Sequence, residues 1–194
     1  QSMEIKVLSD QREEVRFEDI YLSYFSKMKR FAREYVLSDE DAENIVQDVF
    51  LDFWEKKELL PLPINILAYL FTSIKNRCID FLRHKIVQKE IEDKMQEEYR
   101  LTLQIKYYSL GELDEGIFEK DDVEQLLSKA MNSLPERCRE IFLKSKLEGK
   151  KQKEIAEEMN ISINTVETQM GIAYKKLRNE LKDYFPLFIF LYYL

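Results

Sequence analysis

Apolar residues near the start of the chain recur at three- and four-residue steps. Phe17, Ile20, Tyr21, Tyr24, Phe25, Met28, Phe31, Ala32 and Tyr35 fall on one stripe of a helix predicted over about residues 17–36. Ser38 stands at an N-cap position, and Asp39, Glu40 and Asp41 suit the positive end of the helix that follows. That second helix is predicted to turn Ala42, Ile45, Val46, Val49, Phe50, Phe53 and Trp54 inward, before Pro61 and Pro63 break the pattern in a loop. A third helix is predicted over about residues 66–85. Leu67, Leu70, Phe71, Ile74, Cys78 and Phe81 share its inner face, with Tyr69, Thr72, Asn76 and Arg83 opposite and Lys75, Ile79 and Asp80 on the flanks. Residues 1–85 therefore read as one small helical bundle.

From residue 86 to about 120 the period fades, acidic residues crowd in, and Gly111 and Gly116 interrupt, so the stretch, helical at most in part, reads as an acidic linker rather than a core. A second domain is predicted over 121–194. Val123, Leu126, Leu127, Ala130, Met131 and Leu134 give it a short amphipathic helix, and Pro135 suits the first position of the next. That next helix carries Ile141, Phe142 and Leu147 and ends at Gly149, a natural left-handed stop. The fold class expected is all-α, two small helical domains joined by an acidic linker. Four glycines and four prolines in 194 residues leave little room for hairpins.

The sharpest signal lies between residues 150 and 178. Ile155, Ala156 and Met159 face inward on a short helix, with Ala156 small enough for a close helix crossing. Asn160 tolerates the left-handed conformation of a tight turn, Ile161 plugs it, and Ser162 caps the next helix. Val166, Met170, Ala173, Leu177 and Leu181 form that helix's inner stripe. These are the requirements of a helix-turn-helix, whose second helix enters the major groove N-terminus first. Asn164, Thr165, Glu167, Thr168 and Gln169 are then the candidates for reading base edges. Lys151, Lys153, Lys175, Lys176 and Arg178 are candidates for neutralising phosphates. An ordinary helical hairpin with solvated lysines has the same pattern; the capped short turn favours DNA.

A net charge of −7 argues against nucleic acid only until its distribution is read. Residues 86–125 hold 5 basic and 12 acidic groups, whereas residues 126–194 hold 12 basic and 9 acidic. A duplex meets the local field within a Debye length of about 8 Å, so the sum decides little.

Three blocks carry a family resemblance. Asp39 to Trp54 (DEDAENIVQDVFLDFW) resembles region 2.2 of bacterial sigma factors, and Ala68 to Arg83 (AYLFTSIKNRCIDFLR) resembles region 2.4. Leu134 to Phe142 (LPERCREIF), with the helix-turn-helix after it, resembles region 4. Their order and spacing resemble the extracytoplasmic-function group of the sigma-70 family. The resemblance implies a promoter-recognition subunit whose partners are RNA polymerase core, through the clamp helices of its largest subunit, and promoter DNA. An anti-sigma factor, membrane-embedded by family analogy, is a further partner it implies.

The same resemblance implies roles for individual residues. Gln47, Asp48, Leu51, Asp52 and Glu55 would bind core polymerase; taken alone, they are equally a solvated acidic face. Tyr69, Lys75, Asn76, Arg77, Asp80 and Arg83 would meet the −10 element, with Ile79 a further apolar platform and the loop from Lys56 to Asn65 the place for a flipped base. Packing against the linker is the competing use of Tyr69 and Ile79. The helix-turn-helix would meet the −35 element, and the acidic linker would either enter a nucleic-acid channel or act as a spacer. Glu167 and Gly171 depart from the basic or bulky residues common in relatives, so no promoter sequence carries over.

The uncharged run from Tyr184 to Leu194 lies beyond the usual end of region 4 and is too short to cross a bilayer as a helix. It is expected to pack: back between the two domains, on an anti-sigma factor, or as an added core layer of the second domain. An enzyme is not expected. The single histidine, His84, sits among basic residues, and no phosphate loop, nucleophile motif or metal-spaced Cys/His set appears, so neither cofactor, metal nor small-molecule substrate is predicted. Cys78 and Cys138 read as reduced buried apolar residues of a cytoplasmic protein without a secretory leader. A response-regulator-type activator would need strands and a phosphoacceptor site in residues 1–85, and neither is visible there. An adaptor or anti-sigma module would have no use for the set Asn76, Arg77, Asp80 and Arg83.

Overall fold

The computed structural model describes the backbone of residues 2–56, 63–92, 96–111 and 120–194, and side chains over 18–56, 65–88, 96–111 and 122–194. Every regular element among the described residues is a helix: α1 (Ser2–Val36), α2 (Asp39–Lys56), α3 (Pro63–Glu92), α4 (Glu97–Gly111), α5 (Lys120–Asn132), α6 (Glu136–Lys146), α7 (Gln152–Glu158), α8 (Ile163–Glu180) and α9 (Phe185–Tyr193). The all-α architecture follows from the long runs of helix formers and the 3.6-residue apolar period.

Helix α3 is the centre of the N-terminal half, with α1, α2, α4 and α5 packed around it. Phe31, Phe53, Phe71, Ile74 and Leu82 are fully buried there. The α1–α2 corner has the cap read from sequence: the Asp41 amide donates to Ser38 Oγ at 3.2 Å. It also has a feature with no sequence signal. Leu37 closes α1 in the left-handed region (φ 63°), its amide donating to the Arg33 carbonyl at 3.1 Å. Lys29 ties the corner together by reaching both Asp39 and Glu43, at 2.7 and 2.6 Å.

Three expectations need correction. Trp54 does not turn inward; it is 43% exposed, because Phe50 and Phe53 already fill the space α2 shares with α1 and α3. Much of the segment expected as linker is regular: α3 continues to Glu92, and α4 lays Leu103 and Leu110, both fully buried, against the bundle. Two buried leucines suffice to dock a helix whose other faces are polar, which an average over the segment conceals. Pro135 is the N-cap of α6 rather than its first helical residue.

In the C-terminal half α8 is the hub, contacted by α5, α6, α7 and α9. Gly149 adopts φ 64° after α6, the left-handed stop its position suggested. Helix α9 packs on α1 as well as on α8, so the apolar run lies between the two halves. No described helix is long and apolar enough to cross a membrane. Pro61, Gly116 and the loop centred on residues 57–62 lie outside the described residues.

Candidate nucleic-acid interface

The turn between α7 and α8 has the geometry its residues call for. Asn160 sits at φ 52°, and the Ile161 amide donates to the Ala156 carbonyl at 2.9 Å, which closes α7. Ser162 Oγ then accepts from the Thr165 amide at 3.0 Å and opens α8. At the other end of α7 the Lys151 amide donates to the Glu154 carboxylate at 2.7 Å. Ile155, Val166, Ala173 and Leu177 are buried between α6, α7 and α8, which fixes how α8 is presented. A carboxylate clamp adds to this: Glu158 takes Lys144 and Lys150, both at 2.6 Å, so α6, the Gly149 turn and α7 share one charge cluster. Hydrogen bonds from the two ammonium groups hold the Glu158 carboxyl down at about 2.

On the outer side of α8, Asn164, Glu167, Thr168, Lys175, Lys176 and Arg178 are exposed. Their side chains share the surface of one helix whose N-terminal turn is open, the arrangement a major groove accepts. Lys151, the N-cap of α7, and Lys153 within it are exposed beside them. Two expected readers are half-buried rather than exposed. Thr165 is half-buried, its hydroxyl 2.8 Å from Ser162 Oγ, and so belongs to the cap. Gln169 is half-buried, and its backbone carbonyl, not its side-chain amide, accepts from Cys138 Sγ at 3.3 Å.

The second group lies on α2 and α3. Asn76, Asp80 and Arg83 are exposed, with Arg83 Nη1 3.3 Å from Asp80 Oδ1. Tyr69 is half-buried against the Phe53 ring at 6.0 Å, and the Lys56 ammonium lies 5.7 Å from its own ring centroid. Lys75 and Ile79 are not on this surface. Lys75 is 1% and Ile79 2% exposed, because α3 is enclosed by four helices and its flanks close along with its inner face.

Arg77 joins two groups that sequence kept apart. It spans from α3 to α2, with Nη1 3.2 Å from Asp48 and Nη2 2.7 Å from Asp52. Beside that bridge Gln47, Leu51 and Glu55 are exposed, Leu51 at 67%. Leu51 lines a shallow apolar hollow with Tyr21, Gln47, Phe50 and Trp54. The helical period predicts Tyr21 and Trp54 in the core, whereas both are exposed in the fold. The signal in the sequence is the pair Leu51 and Trp54, three residues apart on α2 and beside the stripe of Val46, Val49, Phe50 and Phe53 that the bundle buries.

Comparison with known proteins falls on the same two blocks. Residues 20–85 match the family described as sigma-70 region 2, and residues 124–177 match sigma-70, region 4. The chain is similar to the ECF RNA polymerase sigma factor RpoE of Cereibacter sphaeroides, 25% identical across 91% of this chain and 92% of that one. It is similar to the RNA polymerase sigma factor SigV of Bacillus subtilis, 28% identical over 78% of this chain and 82% of the relative. The ferric citrate uptake sigma factor FecI of Escherichia coli is 26% identical over 81% and 86%.

Proposed function

The chain belongs to the sigma-70 family as an extracytoplasmic-function sigma factor, a promoter-directing transcription initiation factor, and from that premise we propose how its surfaces divide the work. Its partners are RNA polymerase core and promoter DNA. The N-terminal lobe, residues 1–85, binds core through Gln47, Asp48, Leu51, Asp52 and Glu55, and takes the −10 element on Tyr69, Asn76, Arg77, Asp80 and Arg83. The C-terminal lobe, from residue 121, takes the −35 element on α8. Asn164, Glu167 and Thr168 read bases, and Lys151, Lys153, Lys175, Lys176 and Arg178 hold phosphates. The segment between them, α4 included, spans the polymerase between the two contacts. An anti-sigma factor is its regulatory partner, and the cytoplasm its place of action.

The capped helix-turn-helix carries this reading, because α8 presents polar readers and cations on a helix that the core holds rigid. The apolar hollow around Leu51 beside acidic Asp48 and Glu55 supports the core-binding assignment: a buried anchor ringed by charge is what an interface requires. The test is co-elution of the purified chain with sigma-free core polymerase on a sizing column. A complex that disappears in the Asp48→Lys/Asp52→Lys variant supports the assignment. A wild-type chain that does not associate with core, yet still binds promoter duplex, would leave a DNA-binding regulator and end the core-binding claim.

A further inference from the structure

Helix α9 follows α8 after a four-residue turn, yet its anchor is in the other lobe. Phe190 is fully buried, its ring 5.4 Å from Phe31 on α1 and 5.3 Å from Phe71 on α3, both contacts edge-to-face. Tyr193 donates from its hydroxyl to Glu34 on α1 at 2.8 Å. On its other side α9 stays tied to the C-terminal lobe: the Tyr192 ring lies 5.6 Å from Tyr174 on α8, and the Tyr192 carbonyl accepts from Lys146 Nζ at 3.1 Å. The same seam is closed further along, where the Tyr24 hydroxyl donates toward the Lys146 and Leu147 carbonyls at 2.5 and 2.8 Å, and where α5 of the C-terminal lobe lies against α3.

We propose that the aromatic seat formed by Phe31 and Phe71 is an interface occupied in the free protein by the chain's own α9, which straps the two lobes into a closed state that cannot engage both promoter elements. This rests on the division of labour proposed above. A compact chain of 194 residues has a radius of gyration of about 16 Å. Elements centred near −10 and −35 are separated by about 25 base pairs, or about 85 Å of duplex. Lobes that share a buried phenylalanine are too close to reach both. Engaging the promoter on polymerase therefore requires Phe190 to leave its seat, and the burial of the aromatic run sets the cost of that opening.

The strap is testable in the full chain with the Glu34→Cys/Tyr193→Cys variant and a short, reductant-cleavable bis-maleimide; the native cysteines Cys78 and Cys138 are buried and free. The cross-linked protein should lose promoter-directed transcription with core by more than about tenfold and regain it when the linker is cleaved. Independently, Phe190→Ala should raise the radius of gyration in X-ray scattering at unchanged helical circular dichroism. Cross-linked protein that initiates as well as the cleaved form overturns the proposal. So does a Phe190→Ala variant that stays helical and as compact as wild type. If Phe190→Ala unfolds, the cross-link result decides. Failure of the uncross-linked chain to direct transcription sinks the promoter assignment instead, while the scattering arm still tests the strap.

Discussion

Arg77 on α3 donates to Asp52 on α2 at 2.7 Å, so a residue assigned to promoter DNA is held by a residue assigned to polymerase. Its second arm reaches Asp48 at 3.2 Å. In the free chain the two surfaces are thus linked through one guanidinium, and whatever engages the carboxylates also changes what Arg77 can do. All three side chains are over a third exposed, so the bridge is a weak contributor to stability. Arg77→Met should cost no more than about 1 kcal/mol in urea unfolding. Core co-elution should survive it, while Asp48→Lys/Asp52→Lys should abolish co-elution. Loss of core binding in Arg77→Met would show that the arginine itself is part of that interface.

Phe190→Ala empties a site enclosed by rings from two lobes. With the strap released the lobes part, so the expected loss is smaller than the about 3–5 kcal/mol of a phenylalanine cavity that stays closed, and thermal unfolding splits into two transitions. Calorimetry reads both, and a single unshifted transition would contradict the burial.

The α6–α7 charge cluster makes a pH prediction. Glu158 has its carboxyl lowered from 4.5 to about 2 in the folded chain by Lys144 and Lys150. A depressed acid favours the folded state fully above its unfolded value, and that contribution is lost as pH falls from about 4.5 through about 2. Acid titration followed by tryptophan-independent far-ultraviolet circular dichroism should therefore show Glu158→Gln less stable than wild type at neutral pH. The gap should narrow as the pH falls through that window. A gap undiminished at pH 2 would mean that charge is not its source.

At the α7–α8 turn, Ser162→Ala should cost about 1 kcal/mol through loss of the cap to the Thr165 amide. Asn160→Val should cost about 1–2 kcal/mol, since φ is 52° there. On the outer surface, replacing Lys175 or Lys176 by alanine should weaken binding to all duplexes alike and lower the salt slope by about 1 per lysine. Glu167→Gln should instead change which sequences bind. Titrations of one promoter and one scrambled duplex at two salt concentrations separate these effects.

Leu37 pays an αL cost that its neighbours do not explain. It is 39% exposed at φ 63°, so glycine there gives up little packing and removes the strain. Leu37→Gly should stabilise the chain by up to about 1 kcal/mol in chemical denaturation.

Much of the site was legible in the chain itself because it depends on local physics. The helix period, the caps at Ser38 and Ser162, and the left-handed positions at Gly149 and Asn160 involve residues within a turn of one another. The helix-turn-helix is built from such local pieces, so the exposed set Asn164, Glu167 and Thr168 on α8 could be placed from spacing alone. Contacts between distant elements carry no such signal. Lys75 and Ile79 looked like flank residues until α1, α2, α4 and α5 closed around α3; Trp54 looked like core until Phe50 and Phe53 filled it. Arg77 could be read as a cation, but its two carboxylates lie more than twenty residues away in sequence and come within reach only through the crossing of α2 and α3. The apolar run after Tyr184 had to be buried, as its composition demanded; that its burial site is the aromatic pair Phe31 and Phe71 of the other lobe was decided by the tertiary structure, since hydrophobic burial is non-directional and any apolar surface of the right shape would have satisfied it.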